Sequence, residues 1–142
     1  MGHVDFYESA IRHWIGGCIL ELEEEYDSAI CLLGFAAECA LKAIMNWINC
    51  DGDVKKYSHL GEALFEDLKM LLLGDMTMVT LLEPGCGLRL SLMVLPPILF
   101  QGHPERRYFQ DGEFSEDDVF CCREAVKNLI REMVTMRLDG AI

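Results

Sequence analysis

Between residues 28 and 48 nearly every position is apolar: Ala29, Ile30, Leu32, Leu33, Phe35, Ala36, Ala37, Ala40, Leu41, Ile44 and Trp47. A helix without a polar face has no place on a surface and must be covered on several sides. This stretch therefore predicts a central rod, and the rest of the chain becomes its wrapping. Two charges interrupt it. Glu38 and Lys42 are spaced four apart with the acid first, the favourable order for an intrahelical pair. Desolvating either one alone would cost several kcal/mol, so both need partners. Arg107 and Tyr108 are the candidates outside the helix.

The wrapping is mostly helical in pattern. Residues 5–24 carry Phe6, Tyr7, Ala10, Ile11, Trp14, Ile15, Cys18, Ile19 and Leu22 at three-four spacing, which predicts an amphipathic helix. Its other face holds Glu8, Arg12, His13, Glu21 and Glu24. Gly16-Gly17 in mid-helix costs about 1 kcal/mol per residue relative to Ala, a cost that close packing against a crossing helix explains. Glu25 and Tyr26 leave almost no loop, so the rod must fold back antiparallel, with Asp27 as its expected N-cap. Asn49 to Tyr57 reads as a turn-rich loop, and Ser58 as the cap of a helix over about 59–73. Residues 74–114 hold all four prolines and are the least regular part, with one short helix expected near 86–95. Ser115 and Asp118 form a capping box for a last helix running to about 138. Its expected apolar seam is Val119, Cys122, Val126, Leu129, Ile130 and Met133.

Composition fixes the class. The chain has 142 residues, 51% of them hydrophobic, which suits one globular domain over 1–142. With 24 acidic against 12 basic side chains the net charge is -12, so a phosphate backbone is repelled at long range. Seven cysteines, an odd number with no Cys-x-x-Cys pair, read as reduced thiols packed as small hydrophobes. The start MGHVDFYESA shows no basic segment followed by an apolar run, so no secretory leader is expected. Nor is a membrane span, because no apolar run of 18 residues is free of charge. The expected location is cytoplasmic.

The stretch Gly34-Phe35-Ala36-Ala37-Glu38-Cys39-Ala40-Leu41-Lys42-Ala43 resembles the second-helix signature of the HEPN family, an Ala-rich helix with a Glu and then a Leu-Lys pair. Trp14 in the first helix, His59-Leu60 opening the third and Arg107-Tyr108 before the last complete an ordered set that covers nearly the whole chain. The resemblance implies an all-α, four- to five-helix up-and-down bundle that dimerises. It also implies a setting in prokaryotic toxin–antitoxin or defence systems, often beside a small nucleotidyltransferase. Many HEPN proteins cleave RNA with an Arg-x(4–6)-His motif shared across the dimer. That motif is missing here: Tyr-Phe-Gln-Asp-Gly-Glu-Phe follows Arg107, His13 directly follows Arg12, and no Arg precedes His59 or His103 at the required distance.

The resulting expectation is a non-catalytic or weakly catalytic HEPN-like module that dimerises and binds a partner protein, a nucleotide or RNA. Two alternatives stand beside it. One is a divergent RNA-cleaving toxin with His103 as base and Arg106 or Arg107 stabilising charge. The other is a substrate-binding subunit for a separate nucleotidyltransferase. Glu38, Lys42, His59, Arg106, Arg107 and Tyr108 are the candidates for a ligand or dimer cleft; for Glu38 and Lys42 a structural polar cluster is the simpler reading. Adjacent Cys121 and Cys122 project about 100° apart on a helix and chelate poorly, so neither a metal nor another cofactor is expected.

Overall fold

The structure, a computed structural model, describes residues 5–48, 65–66, 93–99, 112 and 114–138. Among the described residues the chain is all-helical, with no strand. The described residues include three long helices: α1 (Phe6–Leu22), α2 (Tyr26–Ile48) and α3 (Glu116–Leu138). The predicted loop at 49–57 lies outside the described residues. So does most of the predicted 59–73 helix, apart from Phe65 and Glu66, which are helical. The short helix expected near 86–95 does not extend over Met93–Leu95, which have no regular structure. Beyond them, Pro97–Leu99 makes one turn of 3₁₀ helix, and the Leu99 N–H donates to the Pro96 carbonyl at 3.0 Å.

Each helix end has a local cause. Asp5 caps α1 by accepting the Glu8 N–H at 3.0 Å. The helix stops at Leu22, two residues earlier than the pattern predicts. Glu24 then takes φ 61°, the left-handed geometry that ends a helix. Its N–H donates to the Glu21 carbonyl at 3.0 Å and that of Glu25 to the Leu20 carbonyl at 2.9 Å, a Schellman closure. A glutamate in this conformation costs about 1–2 kcal/mol relative to the right-handed region.

The expected cap at Asp27 is not made. α2 begins one residue before it, with the Ala29 N–H donating to the Glu25 carbonyl. The Asp27 carboxylate instead accepts the Phe114 N–H at 3.1 Å, tying the entrance of α3 to the start of α2. The capping box of α3 forms as predicted: Asp118 N–H to Ser115 Oγ at 3.2 Å, and Ser115 N–H to Asp118 Oδ2 at 2.9 Å.

α2 is the rod. Ala29, Ile30, Leu33, Ala36, Ala37, Ala40, Leu41 and Ile44 are fully buried. α1 crosses it at the two glycines: a Cβ on Gly16 would meet Leu32 Cδ1 at 2.9 Å, and one on Gly17 would meet the Leu33 side chain at 3.0 Å and the Ala29 carbonyl at 3.4 Å. α3 closes a second side with the predicted seam, all six residues buried, extended by Met136. Leu95 and Leu99 add to the same core. By length and composition α2 could cross a membrane over Tyr26–Asn46, despite its internal charges; 83% of that window is buried inside the protein.

Candidate functional site

Charge is rare in this core, so each buried ionisable group marks a place where the sequence accepts a desolvation cost. Three such residues are buried among the described ones: Glu38, Lys42 and Glu132. Glu38 and Lys42 pair as the spacing predicts, Lys42 Nζ to Glu38 Oε2 at 3.1 Å, with both side chains more than nine-tenths buried. The Lys42 ammonium also lies 5.6 Å from the centre of the Phe6 ring, a cation–π arrangement that α1 supplies. Between them on α2, the Cys39 thiol is pushed up to about 11, first by burial and then by Glu38, while Lys42 and Arg12 pull it down. A thiol held this way is overwhelmingly protonated at neutral pH and is a poor nucleophile. Glu132 was absent from the sequence-based candidates. It falls in phase with Leu129, Met133 and Met136 on the buried seam, and that register was the signal that could have exposed it.

Of the predicted cleft residues, the structure brings Glu38 and Lys42 together. His59, His103, Arg106, Arg107 and Tyr108 lie outside the described residues. His13, expected on an exposed face, is half-buried. Its Nδ1 is 2.8 Å from the Ser9 carbonyl and so carries the proton, and its ring meets Phe35 of α2 at 5.7 Å. The adjacent cysteines diverge as expected, Cys121 exposed and Cys122 buried. Among the described residues no three His, Cys, Asp or Glu side chains are grouped as a metal site would require.

The surface offers two further features. A shallow cleft of about 480 Å³ opens where the α1–α2 turn meets α3, lined by Cys18, Glu21, Glu24, Tyr26, Glu116 and Arg123. Arg123 bridges it, with Nε 2.6 Å from Glu21 Oε1 and Nη1 2.9 Å from Glu124 Oε2. Desolvation, then Glu116, Glu24 and Glu21, push the Tyr26 hydroxyl up. With its arginine already engaged by two carboxylates, this cleft is no phosphate cradle.

The second feature lies on α1, on the face turned away from α2. Ile15, Ile19 and Leu22 are 51%, 50% and 85% exposed. A groove of about 460 Å³ formed by Tyr7, Glu8, Ile11, Arg12 and Ile15 continues this stripe toward the helix start. Single exposed apolar residues are ordinary on any protein, but three in helical register on one face, joined to a groove, form a contiguous patch of the kind that marks an interaction surface. The arrangement as a whole offers a buried, mutually satisfied Glu38–Lys42 pair inside and an apolar stripe outside. Compared with family models, curated proteins and solved structures, the chain matches none.

Proposed function

We propose that the protein is a HEPN-like association module: a single domain over 1–142, built as a four- to five-helix up-and-down bundle. It works by pairing with other chains rather than by catalysis. The observation that carries this reading is the stripe Ile15, Ile19 and Leu22 on α1. Keeping that much apolar surface in water is unfavourable by about 25 cal/mol per Å², and association removes it.

The interior supports the reading from the other side. Glu38 and Lys42 neutralise each other within one helix, so the signature of the second helix acts as a structural clasp. A cytoplasmic location belongs to the same reading, because the one membrane-length apolar helix among the described residues spends its surface inside the protein. Dimerisation, and docking to a nucleotidyltransferase-type partner, are the two associations this surface would serve.

The test is the double substitution Ile15→Lys with Ile19→Lys. Both positions are half exposed, so the helical circular dichroism and the melting temperature should stay near wild type. The molar mass by light scattering, or co-purification with a co-expressed nucleotidyltransferase-type protein, should fall to the unassociated value. A folded double variant that leaves both measurements unchanged would overturn the reading.

A further inference from the structure

The α1 stripe is a narrow apolar ridge whose charged borders differ at its two ends. Stepping about 100° per residue from Ile15, Ile11 lies at about −40°, Ile19 at about 40° and Leu22 at about −20°. At the groove end Glu8 and Arg12, four apart and both exposed, line the same depression, so one charge offsets the other. Arg137 of α3 is close by, its guanidinium 4.4 Å from the centre of the Tyr7 ring. The Leu22 end is different. Glu23, Glu24 and Glu25 follow Leu22 directly, all three are exposed, and none forms an ion pair among the described residues. Glu21 already shares Arg123 with Glu124. The last turn of α1 contains no basic residue, so these acids stand at the negative end of the helix dipole, where cations are favoured. The stripe thus runs from a balanced end to one with surplus negative charge.

That surplus separates the candidate occupants. It repels an anionic membrane surface and a nucleic-acid backbone alike. A second copy of this chain would bring, on the same face, the same acids and an arginine that Glu8 already offsets. An apolar ridge on a helix packs well against another helix, ridge into groove. Resting on the association reading above, we infer that the occupant of the α1 stripe is a cationic amphipathic helix of a different protein. Its apolar face covers Ile15 and Ile19, and lysines or arginines on its border lie over the acids beyond Leu22. The net charge of -12 draws such a partner in from a distance, and contact at the Leu22 end fixes which way it lies.

The experiment is a fluorescence-anisotropy titration of the full chain with a labelled helical peptide matching the 17 residues of α1 in length, with leucines on one face and lysines on its border. A second peptide has glutamate in place of each lysine. The lysine peptide should bind and the glutamate peptide should not. Ile15→Ala with Ile19→Ala removes apolar surface without adding charge and should weaken binding about tenfold. Glu23→Lys should weaken it about fivefold. Glu66→Lys makes the same change of net charge at an exposed position on another helix and should leave the affinity within about twofold of wild type.

Equal losses for Glu23→Lys and Glu66→Lys would reduce the attraction to net charge and overturn the inference, as would binding that ignores the loss of Ile15 and Ile19. Equal binding of both peptides, or of neither, would overturn the cationic occupant. The association reading would still stand in that case if Ile15→Lys with Ile19→Lys lowers the molar mass or releases a co-purified protein. All the substituted positions are exposed, so the variants should fold, and circular dichroism of each checks this.

Discussion

α1 and α2 are joined by three residues and are both rich in large apolar side chains, yet they use them oppositely. α2 is covered by α1 on one side and α3 on another, and its two buried charges, Glu38 and Lys42, pair with each other. α1 packs Ala10 and Gly17 against α2 and leaves Ile15, Ile19 and Leu22 in water. Hydrophobic content alone does not distinguish a core helix from an interface helix. The distinction lies in which residues are small: Gly16 and Gly17 let α1 approach α2 closely on one face, and that commits the isoleucines to the other.

The widest separation between the two helices should come from placing the same charge in each. Leu41→Asp puts a carboxylate at a fully buried point of α2 and should cost more than about 4 kcal/mol, enough to abolish a cooperative melt. Ile15→Asp should shift stability by no more than about 0.5 kcal/mol, visible as an unchanged urea midpoint once association is accounted for. Equal losses in the two variants would erase the contrast.

A smaller effect sharpens the crossing itself. Gly17→Leu pushes a side chain into Leu33 and the Ala29 carbonyl, and overpacking of this kind costs about 1–3 kcal/mol. At Gly16 the nearest atom is the far end of the half-buried Leu32 side chain, which can swing aside. Gly16→Ala should therefore regain about 1 kcal/mol of helix propensity against a modest repacking cost. Thermal melts of the pair should rank Gly17→Leu well below Gly16→Ala.

The smallest effect compares thiols. Burial and Glu21 also raise Cys18 on α1, opposed by Arg123, but Cys39 on α2 is raised furthest, from 9.0 to about 11. A raised folded-state value means that the unfolded chain loses its proton first. The Cys39 contribution is therefore intact below about pH 9 and disappears as pH climbs toward 11. Urea midpoints measured across that window should fall more steeply for wild type than for Cys39→Ala, and parallel curves would remove the contrast.

Much of this was legible in the sequence because its causes are local. The rod announces itself by composition, the Glu38–Lys42 pair by spacing, and the α3 start by two residues three apart. The misses have non-local causes. Asp27 has the right identity for a cap, but its carboxylate is engaged by Phe114, 87 residues away, and no window of sequence around Asp27 contains that information. His13 was misplaced because its stacking partner Phe35 belongs to another helix. The α1 stripe was hidden because Ile15, Ile19 and Leu22 share the three-four spacing of the residues that turn inward, so periodicity alone could not say which of them the core reaches.

The bond from Phe114 to Asp27 also sets a timetable. A ribosome adding 5–20 residues per second needs roughly 4–17 s to travel from one end of that link to the other. For much of that interval α2 has been made while the helix that closes its second side has not. Production of this protein should accordingly lean on holding chaperones more than its modest size would suggest.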